Sequence, residues 1–152
     1  MSDIDFRVTA FDAPESVELI GELQAEYMVR YGTGDETPVD AREFTAPRGI
    51  FVVGWDAELP VACGGVRVTA PGLAELKRMY VRVAARRRGI ARQLLTRLED
   101  EARLLGAGVL RLQTGLQQPE AIAMYESAGY TGTEPFGHYA DEPLARHLAK
   151  AL

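Results

Sequence analysis

Residues 80–91, which read YVRVAARRRGIA, join a predicted strand to a predicted helix through a basic turn. Backbone N–H groups in such a turn converge on one point, and the helix N-terminus adds partial positive charge there. Gly89 has no side chain to keep a ligand from the backbone, and Ala91 keeps the first helical turn small. The turn also carries three adjacent cationic side chains, Arg86, Arg87 and Arg88. The segment therefore predicts a site for a diphosphate group.

The turn has one other interpretation besides a diphosphate site. Three adjacent arginines ahead of a helix are also typical of a solvated basic surface. Known phosphate-binding fingerprints do not decide the question. No Gly-Lys-Ser/Thr follows as in a P-loop, and the three glycines of a dinucleotide-binding turn are absent.

The segments on both sides of the turn predict a mixed α/β chain. Upstream, residues 4–10, 49–55, 60–69 and 75–83 have the pattern of strands, and a helix opens at Asp12 and Pro14. Downstream, an amphipathic helix from Ala91 ends before Gly106, and a strand over 109–114 and a helix over 119–127 follow. Residues 144–152 have the local composition of a helix. The order β, α, three β, α, β, α, β predicts a mixed α/β domain whose N-terminal half is largely antiparallel.

Composition narrows the classes of protein that fit. The 152 residues suit a single domain over 1–152, and the net charge of −5 argues against a general nucleic-acid binder. One cysteine excludes a disulfide framework and a multi-cysteine metal site, and two widely spaced histidines predict no metal site. The N-terminal stretch MSDIDFRVTAFD lacks the features of a signal peptide, and no apolar run is long enough to cross a membrane. We therefore expect a cytoplasmic protein with no membrane partner.

The turn resembles a known family. Arg86-x-x-Gly89-x-Ala91, preceded by the strand 79–83 and followed by Gln93-Leu94-Leu95, is similar to the coenzyme A-binding motif of GNAT N-acetyltransferases. The resemblance implies that the loop from Arg86 to Ala91, Ile90 included, holds the pyrophosphate of acetyl-CoA. It also implies that the backbone of Val81 and Val83 meets the pantetheine arm and the acetyl carbonyl.

The same resemblance implies a fold and a reaction. The expected fold is a central, mostly antiparallel, twisted sheet of six to seven strands flanked by three to four helices, with a closing strand over 144–152. The expected reaction is acetyl transfer from acetyl-CoA to a primary amine, of a small molecule or of a protein, by direct attack in a ternary complex. An acyl-CoA-binding sensor of the same fold and a structural domain are the alternatives. Homodimers are frequent in the family.

A second motif supports the resemblance. Ala121, Tyr125, Gly129 and Tyr130 match the family pattern Asn-x-x-Ala-x-x-x-Tyr-x-x-x-Gly-Phe/Tyr, with Gln118 in the place of the asparagine. Gln118 can still hydrogen-bond the pantetheine amides. Tyr125 resembles the family tyrosine near the coenzyme A sulfur, which can return a proton to the leaving thiolate. The alternative is a core tyrosine whose hydroxyl is satisfied.

The general base and the acceptor pocket are less marked in the sequence. Glu75 begins the strand that reaches Val81, and a separation of six residues along a regular strand places both on one face. In some GNAT enzymes a carboxylate there takes the amine proton, although Glu75 paired with Lys77 or Arg78 is the alternative. The family builds its acceptor pocket from the first helix and the loop after it, and from the late strands and loop. That implies four substrate-side positions on the helix, Glu26, Tyr27, Arg30 and Tyr31, and in the loop the segment 136–139 with His138.

Overall fold

The computed structural model describes residues 3–152, so the first two residues of MSDIDFRVTAFD lie outside it. Within this range the strands are β1 (Ile4–Val8), β2 (Gly49–Asp56), β3 (Leu59–Ala70), β4 (Leu73–Val81), β5 (Val109–Gly115), β6 (Thr131–Gly132) and β7 (Ala145–Ala151). The α-helices are α1 (Pro14–Tyr31), α2 (Ile90–Leu104) and α3 (Pro119–Ser127). None of the described helices has the length and apolar character to cross a membrane.

All the strands belong to one sheet, in the order β1-β2-β3-β4-β5-β7-β6. Every neighbouring pair is antiparallel except β4 and β5, which run parallel. These two strands pair only at their beginnings, where Leu73–Glu75 lie opposite Val109–Arg111. Beyond that point they are no longer hydrogen-bonded to each other. The expected mostly antiparallel α/β fold is confirmed, and it contains a wedge between the two central strands.

The two faces of the sheet carry separate apolar clusters. Because side chains alternate along a strand, the neighbours Val52 and Val53 belong to different clusters. Val52 packs with the buried side of α2, which includes Leu94 and Leu98. Val53 packs with the buried residues of α1, which include Leu19. The wedge between β4 and β5 is therefore reached from α1 on one side and from α2 on the other.

The closing strand shows tertiary structure overriding local composition. Residues 144–152 have a helical composition, yet Ala145–Ala151 form β7, which pairs antiparallel with the whole of β5. The family resemblance predicted this strand correctly, and the helix that the local composition favours does not form. β5 offers a long edge whose backbone groups need partners, and that requirement outweighs helix propensity.

Candidate functional site

The loop before α2 presents a row of unused backbone donors. Arg87 and Gly89 have left-handed backbones, with φ of 66° and 76°. The first amide of the helix with an acceptor is that of Gln93, which donates to the Gly89 carbonyl at 3.2 Å. Within residues 3–152, the six successive N–H groups from Arg87 to Arg92 have no protein acceptor. Such a row of amides at a helix N-terminus is a site for an anion.

Gly89 is suited to that site in two ways. Its φ of 76° is a conformation that L side chains rarely adopt. A Cβ built on Gly89 would meet no heavy atom within 4 Å, so it would project into open space above the loop. Ile90, also predicted to bind the cofactor, is 2% exposed and packs in the core. Only its backbone N–H is therefore left for a ligand.

The three arginines of the loop have different environments. Arg86 points away from the loop, because its Nε donates to the Val81 carbonyl at 2.9 Å and its guanidinium pairs with Glu26 at 3.0 Å. Arg88 pairs with Asp56 on β2 at 3.0 Å. Arg87 is exposed and, among the described residues, has no ion pair or side-chain hydrogen bond. Of the three, Arg87 has the guanidinium most readily available to an anion.

The strand before the loop ends earlier than its pattern indicates. β4 ends at Val81, whereas Val83 begins a 3₁₀ turn over Val83–Ala85 and lies outside the strand. Beyond Glu75, the edge of β4 that faces β5 has no strand partner. An unpaired strand edge offers N–H and C=O groups to an extended ligand. The prediction that both Val81 and Val83 act from the strand is therefore corrected for Val83.

A β-bulge in β4 corrects the geometry inferred for Glu75. Gly65 lies opposite Lys77 and Cys63 lies opposite Tyr80, so three steps along β4 match two along β3. Arg78, with φ of 59°, lies within this irregularity. The extra residue reverses the alternation, as a bulge does. Glu75 therefore shares its face with Tyr80, and the inference that it shares a face with Val81 is wrong.

Glu75 is enclosed by cations and does not line the pocket described below. It is 5% exposed, and its carboxylate lies 3.6 Å from Arg67 and 3.7 Å from Lys77. This is the ion-paired arrangement that was the alternative to a general base. The structure therefore gives no direct contact between Glu75 and the space where an acceptor would bind.

Tyr125, on α3, lies on the side of the wedge that faces α2. Its side chain is buried, and within residues 3–152 the one hydrogen bond of its hydroxyl is donated to the Met79 thioether, at 3.7 Å. A thioether sulfur is a weak acceptor, so this contact leaves most of the hydroxyl's hydrogen-bonding capacity unused. Burial raises the pKa of Tyr125 well above its ordinary value. The phenol therefore stays protonated at neutral pH and is suited to donate a proton.

A pocket of about 710 Å³, including its open mouth, lies on the α1 side of the wedge. Its walls come from the end of α1, the loop after it, β4, the end of β5 and the segment before β7. Three tyrosines line it, Tyr27, Tyr31 and Tyr139, and its charged side chains include Asp35 and Lys77. Of the cofactor residues that the sequence predicts, Gln118 also lines it. A small molecule fits this space.

The charged groups of the pocket are held by one another. Asp35 pairs with Arg78 and with Lys77, the latter at 3.5 Å, and also accepts hydrogen bonds from Thr37. Burial alone would raise the pKa of Asp35, but Lys77 and Arg78, together with the hydrogen bonds from Thr37, outweigh it and hold that pKa below its ordinary value. Burial lowers the pKa of Lys77. Sequence reasoning missed this cluster, although Lys77 follows Glu75 at the spacing of one strand face.

The substrate-side predictions have mixed outcomes. Tyr27 lines the pocket, and burial raises its pKa above its ordinary range. Glu26 pairs with Arg86 and, at 3.7 Å, with Arg30, so its carboxylate is engaged by the protein. His138 is exposed and outside the lining, where it stacks edge-on against Tyr139 at 4.8 Å between ring centroids. The neighbouring Tyr139 lines the pocket, whereas the assignment of His138 as a substrate-binding residue stays a prediction.

Comparison with known proteins agrees with this geometry. A family model described as "Acetyltransferase (GNAT) family" matches residues 17–130. A protein from Azospirillum brasilense named "IAA acetyltransferase" is 36% identical over 137 residues, which cover 90% of each chain. "Uncharacterized N-acetyltransferase YsnE" from Bacillus subtilis is 30% identical over 108 residues, covering 70% of this chain and 72% of the relative.

Solved structures extend the likeness to the whole fold. A chain from Klebsiella pneumoniae superposes with a TM-score of 0.83 at 27% identity, covering 98% of this chain and 97% of that one. A GNAT family acetyltransferase from Elizabethkingia anophelis, solved with acetyl-CoA bound, has a TM-score of 0.73 at 14% identity, with full coverage of both chains.

Proposed function

Because the chain belongs to the acetyltransferase (GNAT) family, we propose that it transfers an acetyl group from acetyl-CoA to a primary amine. The observation that carries this proposal is the row of six unused amides from Arg87 to Arg92, next to an unpaired strand edge. Amides and helix charge suit the pyrophosphate, and the β4 edge suits the amide-containing pantetheine arm.

Different residues of the chain bind the cofactor, donate the proton and stabilise the oxyanion. The loop amides and Arg87 bind the diphosphate, the edge of β4 orients the arm, and Gln118 donates to one of its amides. The amine nitrogen forms a bond to the thioester carbonyl carbon, and the carbon–sulfur bond breaks. Tyr125 gives its proton to the departing thiolate and regains one from solvent, where the amine also releases its proton. Backbone N–H groups near the bulge stabilise the oxyanion that forms between these steps.

The acceptor is proposed to be a small amine that enters the pocket beside Tyr27 and Tyr139. The tyrosine rings that line the pocket provide π faces that attract a cation. The Azospirillum relative is named for IAA, so this compound belongs in a panel of test acceptors.

The test is release of free thiol from acetyl-CoA with a panel of amines and IAA. The wild type is compared with Tyr125→Phe and with Tyr130→Phe, which removes a hydroxyl bonded instead to Glu99 at 2.7 Å. Thiol release that depends on an acceptor and falls in Tyr125→Phe alone supports the proposal. Acetyl-CoA that raises the melting temperature without any turnover favours the sensor alternative. A wild type that does not bind acetyl-CoA contradicts both.

A further inference from the structure

The end of α1 is fastened to the loop that begins α3. Arg30 donates to the Gln117 carbonyl at 2.6 Å and pairs with Glu120 at 2.7 Å. The next residue, Tyr31, donates its hydroxyl hydrogen to the Gln118 side-chain carbonyl at 3.0 Å. Gln118 is the residue just before α3, the helix that carries Tyr125. The acceptor-side helix and the cofactor-side helix are therefore joined through these side chains.

The Tyr31 hydroxyl reaches Gln118 only because residue 115 is a glycine. A Cβ built on Gly115 would overlap the Tyr31 hydroxyl and the ring carbon that bears it. The backbone of Gly115 is not in the left-handed region, so backbone conformation does not require glycine here. The close approach of the Tyr31 ring is what excludes a side chain. The glycine at position 115 thus makes room for the Tyr31 ring, which lets the Tyr31 hydroxyl bond to Gln118.

We propose that Tyr31 is a positioning residue that sets the Gln118 side chain for acetyl-CoA and links its binding to the acceptor pocket. This inference rests on the proposed function. With its carbonyl oxygen held by Tyr31, the Gln118 carboxamide keeps its NH₂ as a donor for an amide carbonyl of the pantetheine arm. Within the described residues that nitrogen donates to no protein acceptor.

Tyr31 also lines the acceptor pocket, so one side chain contacts both sites. Burial raises the pKa of Tyr31, which keeps the phenol in its donor form at neutral pH. An acceptor that packs against the Tyr31 ring restricts its motion and with it the motion of Gln118. Binding linkage is reciprocal, so acetyl-CoA bound to Gln118 must favour the acceptor by the same factor.

The test measures the dissociation constant of acetyl-CoA by calorimetry for five variants and the wild type. Tyr31→Phe removes one hydrogen bond, and we expect the dissociation constant to rise about three- to tenfold. Gly115→Ala displaces the ring and is expected to have a similar effect. Tyr31→Ala removes the ring, so adding Gly115→Ala to it should change nothing further. Tyr130→Phe removes a hydroxyl bonded to Glu99 at 2.7 Å and should leave the constant unchanged.

A structural role alone would lower the melting temperature without this non-additive pattern. With an acceptor identified by thiol release, Tyr31→Phe is expected to raise KM for acetyl-CoA while kcat changes less than about twofold. Acetyl-CoA affinity equal to the wild type in both Tyr31→Phe and Gly115→Ala overturns the inference and leaves the proposed function intact. Absence of acetyl-CoA binding by the wild type overturns the proposed function itself.

Discussion

The loop from Arg87 to Arg92 and the charged cluster around Asp35 differ in whether their polar groups have partners within the protein. In the loop, six successive amides have no acceptor within the described chain. In the cluster, Lys77 and Arg78 are buried, Asp35 is partly buried, and the three are bonded to one another or to Thr37. Unused surface donors are available to a ligand, whereas the mutually bonded charges form a wall of the pocket and stabilise the fold there. Changes in the cluster should therefore cost stability, and changes in the loop should cost affinity.

The largest effect is expected inside the cluster. Asp35→Asn leaves Lys77 and Arg78 with weaker partners, so the free energy of unfolding at pH 7 should fall by about 3 kcal/mol. The pKa of Asp35 is lower in the folded protein than in the unfolded chain. The stabilisation is thus fully present above the unfolded value of about 4 and decreases as pH falls through the folded value.

Urea denaturation at pH 7 and pH 3 measures this difference, which should be smaller at pH 3. Asp100→Asn is the control, because its pair with Arg103 is exposed on α2. Acetyl-CoA affinity should stay within about twofold in Asp35→Asn, as only the wall has changed. A variant as stable as the wild type at pH 7 would contradict the view that the cluster is a stabilising wall.

Tyr125→Phe tests the proton donor proposed at the wedge between β4 and β5. We expect kcat to fall about a hundredfold, with a change in KM for acetyl-CoA below about threefold. Because burial raises the pKa of Tyr125, wild-type kcat should not decrease on the alkaline side through ionisation of this group before about pH 10. Steady-state kinetics from pH 6 to 10 measure both. Equal kcat values for Tyr125→Phe and the wild type would remove its role as proton donor.

Gly89→Ala and Gly72→Ala form a matched pair for the loop. Both glycines have left-handed φ, 76° and 74°, and a Cβ on either would meet no atom within 4 Å. Each alanine should lower the free energy of unfolding by roughly 1–2 kcal/mol. In Gly89→Ala alone, the dissociation constant of acetyl-CoA should rise about tenfold, since the new methyl group projects above the loop amides. The same loss of acetyl-CoA affinity in both variants would show that backbone strain causes the loss, and not the methyl group above the loop amides.

Arg87→Ala should give the smallest effect. An exposed cation near a phosphate contributes modestly, so we expect the dissociation constant to rise about threefold at low salt and less at high salt. Arg103→Ala is the control, because Arg103 lies at the opposite end of α2. Calorimetry at two salt concentrations separates the two variants. The same loss in both variants would point to overall charge and not to this loop.

How much of this was predictable depends on how local each feature is. The loop was predictable because strand, glycine turn and helix follow one another within residues 80–91. The bulge at Arg78 was not, because it exists only in the pairing of β4 with β3. The cluster of Asp35 with Lys77 needs the loop after α1 to fold onto β4, which no local pattern encodes. A single position also decides which ring of the late loop lines the pocket, since Tyr139 does and His138 does not. The homodimer and the cytoplasmic location stay predictions.

The most direct test of the anion site follows backbone amide signals by ¹H–¹⁵N NMR during titration with acetyl-CoA. The amides from Arg87 to Arg92 should shift strongly and saturably, because each gains an acceptor or lies next to one that does. The amides of Asp35 and Thr37 in the cluster already donate to the Gln24 side chain and to the Asp35 carboxylate, so they should shift much less. Signals from Arg87 to Arg92 that stay unchanged while acetyl-CoA binds elsewhere would contradict the assignment of this loop as the pyrophosphate site.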